Sequence, residues 1–77
     1  MMEIYPGITM DPNVRFGKPC LTGTRIDVAT VVGALAAGDS HETVQEAYAL
    51  TREQILGALR YAAYIAEHLP PAVKKVS

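Results

Sequence analysis

The chain has a single cysteine, Cys20, among 77 residues. An internal disulfide is therefore excluded, the fold must rest on its core, and a reducing compartment is expected. Long apolar runs are also missing. No stretch approaches the roughly 20 residues that a membrane-spanning helix needs. The first residues, Met1-Met2-Glu3-Ile4-Tyr5-Pro6, have neither the basic start nor the apolar stretch of a secretory signal, so a cytoplasmic protein without a membrane partner is expected. Excess charge of either sign is absent too: seven Lys and Arg against eight Asp and Glu leave a net charge of −1. No overall field draws such a chain to nucleic acid, and contact with DNA has to come from a local patch.

What the chain does contain is apolar surface. Hydrophobic residues make up 49% and charged residues only 19%, a high ratio for a domain close to the lower size limit for folding on a single core. The surplus points to self-association. Turn formers punctuate the first third: Pro6-Gly7, Asp11-Pro12-Asn13, Gly17-Lys18-Pro19 and Thr22-Gly23-Thr24 leave room between them for strands only. Ile8-Thr9-Met10 and Lys18-Pro19-Cys20-Leu21 are expected to pair antiparallel, with Pro19 on an edge because it has no N–H to donate.

From Asp27 the apolar period becomes helical. Val28, Val31, Val32, Leu35 and Ala36 form one stripe, with Asp27 as N-cap and Gly38 as the C-terminal stop. A shorter helix follows Ser40, with Val44, Ala47 and Tyr48 on one side. The third start is the best marked, since Thr51-Arg52-Glu53-Gln54 is a capping box and Leu50 can close on Ile55 as a hydrophobic staple. That helix is expected to run until Pro70-Pro71 forbids continuation. The expected architecture is mainly α: residues 1–7 an extension; one domain over 8–69, with a β-hairpin in 8–26 and helices at about 27–37, 41–48 and 51–69; and a flexible tail at 70–77.

A short helix, a tight connection and a well-capped longer helix have the form of a helix-turn-helix, a form that structural bundles share. If Ile55, Leu59, Ala62 and Ala66 face the core, then Glu53, Gly57, Arg60 and Tyr64 lie on the opposite face. DNA contacts are accordingly assigned to Arg52, Glu53, Gly57 and Arg60, against the alternative that the arginines are solvated surface charges. The run Tyr61-Ala62-Ala63-Tyr64-Ile65-Ala66 is apolar around the whole helix, and Tyr61, Tyr64 and Ile65 are assigned to an oligomer or partner interface. Arg25 is expected to tie its loop to backbone carbonyls, and Cys20 to be a buried, inert thiol. His41 and His68 have no neighbours at metal-ligand spacing, and no catalytic set can be assembled. A non-enzymatic protein without cofactor or metal is expected.

The segments Asp11-Pro12-Asn13-Val14, Gly17-Lys18-Pro19-Cys20, Gly23-Thr24-Arg25-Ile26 and Leu50-Thr51-Arg52-Glu53-Gln54-Ile55, together with Val28, Ala58-Leu59 and Tyr61-Ala62, resemble the family called domain of unknown function 433, over about residues 8 to 66. The resemblance implies a homeodomain-like helix-turn-helix and kinship with antitoxins of the VapB type, whose genes commonly sit beside one for a small PIN-like ribonuclease. It makes Gly17, Lys18, Pro19, Gly23, Thr24, Arg25 and Ile26 signature positions and places the start of a recognition helix at Leu50 to Ile55. Two readings follow: a homo-oligomeric regulator that silences a PIN-like ribonuclease toxin and binds its own operator DNA, or an oligomeric adaptor that never touches DNA.

Overall fold

The computed structural model describes residues 2–68; the expected tail at 70–77 and the last residue of the expected third helix lie outside them. The chain runs through three short strands, β1 (Met2–Tyr5), β2 (Ile8–Met10) and β3 (Cys20–Leu21), and then three helices, α1 (Val28–Ala36), α2 (His41–Tyr48) and α3 (Arg52–His68). The strands form one antiparallel sheet in the order β1-β2-β3. The expected hairpin is β2 with β3, which pair Ile8 with Leu21 and Thr9 with Cys20.

The correction to the expected hairpin is β1. Residues 2–5, expected as an extension, pair with β2 across the two-residue Pro6-Gly7 turn, with a register irregularity between Glu3 and Tyr5. Gly7 has φ 82°, a conformation that glycine adopts without cost. The Glu3 carboxylate also accepts from the Gly7 N–H at 3.1 Å.

The helix ends follow local chemistry. Asp27 caps α1 by accepting from the Thr30 N–H at 3.0 Å, and Ser40 caps α2 through the Thr43 N–H at 3.1 Å. At α3 the capping box is reciprocal: the Thr51 N–H donates to Gln54 Oε1 at 2.8 Å and the Gln54 N–H donates to Thr51 Oγ1 at 3.1 Å. Helix α1 closes through Gly38, where the Asp39 N–H reaches the Ala34 carbonyl at 3.1 Å and the Gly38 N–H the Leu35 carbonyl at 3.0 Å. Helix α2 closes in the same way, with the Leu50 N–H on the Gln45 carbonyl at 3.0 Å. There the left-handed residue is Ala49, at φ 54°. Alanine is strained in that conformation, so Ala49→Gly is expected to raise stability by about 1 kcal/mol, read as a higher urea midpoint at unchanged slope. A midpoint equal to or below wild type would show that the α2 to α3 turn does not hold this geometry.

The core joins both layers. Ile8 and Leu21 of the sheet meet Val28 and Val31 of α1, Val44 of α2, Leu50, and Ile55, Ala58 and Tyr61 of α3. Only part of each expected stripe is buried. Ala36 is exposed at the end of α1, while Ala47 and Tyr48 are exposed on α2. On α3 the buried positions are Ile55, Ala58 and Tyr61. The helix is thus rotated from the expected Ile55, Leu59, Ala62, Ala66 stripe: Leu59 is half-buried at the core edge, and Ala66 is exposed. The rotation arises because α3 meets β2 as well as α1 and α2, and one helix period cannot report contacts on two sides.

Candidate functional site

Three surface features carry candidate chemistry. The first is an apolar groove of about 330 Å³ between α1 and α3, lined by Val28, Ala29 and Val32 on one side and Tyr61, Ala62 and Ile65 on the other. The signature residues Lys18 and Pro19 close one end, together with Asp27. Pro19 stands before the edge strand β3, and its carbonyl accepts from the Val28 N–H at 2.9 Å. The signature turn is thereby fastened to the first turn of α1.

Asp27 is the hub of that junction. It is 3% exposed and accepts from the Thr30 N–H and hydroxyl and from the Arg15 guanidinium, the last at 3.4 Å. The hydrogen bonds from Thr30 and the charge of Arg15, against the opposing effect of burial, hold its carboxyl below the ordinary value of 3.8. Cys20 is buried, and desolvation followed by the nearby Asp27 carboxylate pushes its thiol above the ordinary 9.0. Burial and a raised thiol pKa both lower the fraction of reactive thiolate, the direction that the sequence suggests.

The second feature is the turn Arg15–Gly17. Arg15 and Phe16 both have positive φ, 50° and 58°, a conformation that costs a residue with a Cβ roughly 1–2 kcal/mol. Phe16 is nevertheless 93% exposed, the most exposed of the large hydrophobic residues among those described. The turn is held by the Gly17 N–H on the Val14 carbonyl at 3.0 Å, the Lys18 N–H on the Arg15 carbonyl at 3.1 Å, and the ion pair of Arg15 with Asp27. An exposed phenylalanine in a strained, fixed turn contributes nothing to the core. Hydrophobic periodicity does not reveal it. Its one signal is that the two apolar residues between Asn13 and Gly17, Val14 and Phe16, belong to no helical or strand stripe.

The third feature is the α3 face assigned to DNA. Glu53, Gly57 and Arg60 line a shallow depression with Thr51 and Gln54, walled on its other side by Pro6, Gly7 and Thr22. Arg52 is exposed but stands apart from that lining. Arg60 donates to Glu53 across two helix turns at 2.5 Å, so the positive charge on this face is countered within the face. Both side chains are largely exposed, and such pairs contribute little net stability.

The interface assignment divides. Tyr61 is a core residue at 9% exposure, its ring centroid 5.5 Å from that of Tyr5. Its apparent surplus is absorbed by β1, the strand formed by the expected extension. Tyr64 is exposed and lies between Tyr5, at 5.1 Å, and His68, at 4.3 Å. Ile65 is half-buried along the groove.

Among the signature turns, Gly17 and Gly23 have φ 80° and 81°. Thr24, not Arg25, ties the second turn: its hydroxyl donates to the Leu21 carbonyl at 2.8 Å and accepts from the Ile26 N–H at 3.0 Å. Arg25 is exposed and makes no hydrogen bond among the described residues. The short Thr24 side chain reaches the backbone of its own turn, whereas the longer arginine extends into solvent.

Residues 8–62 match the model of a family described as "Protein of unknown function (DUF433)". Over 52 residues the chain is 35% identical to the "Putative antitoxin VapB45" of Mycobacterium tuberculosis, a match that covers 68% of this chain and 22% of that protein. The crystal structure of Rv2018 from Mycobacterium tuberculosis superposes with a TM-score of 0.62 at 35% identity, covering 68% of this chain and 24% of that one. The chain thus spans less than a quarter of the length of these relatives.

Proposed function

The chain belongs to the DUF433 family, and on that premise we propose that it is an antitoxin-like, non-catalytic regulator of the cytoplasm. It binds a PIN-like ribonuclease toxin, blocks it by steric occlusion, and assembles as a homo-oligomer. The observation that carries this reading is the 35% identity, over 52 residues and 68% of this chain, to a protein named "Putative antitoxin VapB45". Exposed apolar surface at the Arg15–Gly17 turn and along the α1 to α3 groove supports it, since a protein inhibitor needs such surface. The test is co-expression of the chain with a PIN-like ribonuclease encoded beside its gene. Growth is expected to be restored and a stable complex to be recovered; unrelieved toxicity with soluble chain present would overturn the reading.

Operator binding through α2 and α3 is the second part of the proposal. Three observations favour it: the three-residue connection 49–51 with left-handed Ala49, the exposed Arg52, and Gly57, where an added Cβ would meet nothing within 4 Å. Glycine at that position is not demanded by the chain's own packing and leaves the helix backbone open to a close approach. Against it stands the pairing of Arg60 with Glu53, which favours the alternative of an oligomeric adaptor that does not bind DNA. Changing Arg52 and Arg60 together to Glu decides between them. If α3 reads DNA, operator binding is lost, and a milder double change to Gln flattens the dependence on log salt by about 2, one unit per phosphate contact. Binding with an undiminished salt dependence in both variants would exclude this face.

A further inference from the structure

We propose that the Arg15–Gly17 turn is the protein-docking element of this chain, with Phe16 as its anchor. The surface it fits is an apolar pocket rimmed by carboxylates on a protein other than a copy of this chain. The inference rests on the regulator reading and deepens it by naming the contact site and the chemistry of the partner. Its basis is a set of features that the fold itself does not use. Phe16 is 93% exposed on a turn in which it and Arg15 are both left-handed, and that turn is fixed by two backbone hydrogen bonds and by the ion pair with buried Asp27. A backbone already fixed in its turn has little further freedom to lose on binding, which favours an anchor there.

Charge selects the kind of partner. Between residues 11 and 26 the charged residues are Asp11, Arg15, Lys18 and Arg25; Arg15 is paired with Asp27, so the exposed cations there without an ion-pair partner among the described residues are Lys18 and Arg25. A pocket that receives Phe16 therefore meets cations at its rim, and carboxylates there complement them. A second copy is the wrong occupant. Its groove between α1 and α3 has room for a phenyl ring, but its rim carries Lys18, and the Asp27 carboxylate at that end is buried and already bonded. Insertion would bring the cations beside Phe16 to a rim that already carries Lys18. Single-stranded nucleic acid is disfavoured as well, since one aromatic on a short turn of an acidic chain lacks the successive stacking platforms and basic groove such binding uses.

The test places the photoreactive residue p-benzoylphenylalanine at position 16 of the full chain in its native cells. Tyr48, an exposed aromatic on α2, is the control position. A protein joined at 16 but not at 48 is identified, purified and titrated with wild type, Phe16→Ser and Lys18→Glu. Phe16→Ser is expected to weaken binding about 30-fold or more, the loss typical of an interface anchor. Lys18→Glu is expected to weaken it further at low salt than at high salt. Both variants should melt as wild type, which separates lost docking from lost folding. Joining to a second copy of the chain, to RNA, or to nothing specific to position 16 overturns the proposal. So does a partner that binds Phe16→Ser as tightly as wild type; if that partner is a ribonuclease, the antitoxin reading survives while the docking site does not. If the partner is another kind of protein that needs Phe16, the docking site stands and the antitoxin reading falls.

Discussion

Replacing Ile55 with alanine is expected to destabilise the domain by about 2–5 kcal/mol, the range of a large-to-small change at a fully packed position. Ile55 is fully buried in the first half of α3, inside a cluster that contains residues of the sheet and of all three helices. Truncation there opens a cavity that no single neighbour can fill, and the cost combines lost burial with the incomplete collapse around it. A domain of this length has a stability on the order of 4–11 kcal/mol, so the substitution removes a large fraction of the total. Urea denaturation followed by circular dichroism measures it. Leu56→Ala, one position along and half-buried, is expected to cost less than half as much. Equal losses at the two positions would contradict the rotation of α3 that buries Ile55, Ala58 and Tyr61. Because α3 also carries Glu53, Gly57 and Arg60, loss of its core face would remove the candidate DNA surface with it.

Asp27→Ala is the second large effect, with an expected loss of about 2–3 kcal/mol. One part is the missing N-cap of α1, typically about 1 kcal/mol. The rest is the loss of charge-assisted hydrogen bonds from Thr30, which leaves the partly buried Thr30 hydroxyl without its partner. The bond to Arg15 adds less, because that side chain is 47% exposed and solvent screens it. Asp27→Asn retains the capping oxygen and is expected to lose about half as much. The pH dependence follows from the direction of the shift. The folded-state carboxyl lies below its ordinary value of 3.8, so the unfolded chain takes up the proton first as pH falls. The contribution of Asp27 is full above that ordinary value and is lost as pH drops through the lower folded-state value. At neutral pH the wild type is therefore more stable than Asp27→Asn, and the gap closes in acid below pH of about 4. A gap that stayed constant as the pH was taken well below about 4 would mean that the Asp27 charge contributes no stability. Loss of this residue should also loosen the Arg15–Gly17 turn, since Arg15 holds that turn through Asp27. The docking site proposed for Phe16 thus depends on a residue that never meets the partner.

Much of this molecule is legible locally. Asp27, Ser40, Gly38 and the reciprocal pair of Thr51 with Gln54 set the helix boundaries, because a cap is a contact between residues two to five apart. The β2 to β3 pairing is legible from two short apolar segments between turn formers, and so is the burial of Cys20 within the second of them. What escapes the sequence depends on contacts between distant segments. Strand β1 takes its hydrogen bonds from β2, and only with β1 in place does Tyr5 cover Tyr61 and turn an apparent interface residue into a core one. The rotation of α3 has the same origin, since Ile55, Ala58 and Tyr61 are buried by elements on two sides of the helix.

By itself, then, the sequence determined the helix starts and stops, the hairpin of β2 and β3 and the family resemblance, because each is written in the identity of residues near one another along the chain. Only the tertiary structure decided which apolar residues are left over. Exposure is what remains after every other segment has packed, and for this reason Phe16, inconspicuous between two turn formers, emerges as the candidate anchor while Tyr61 does not.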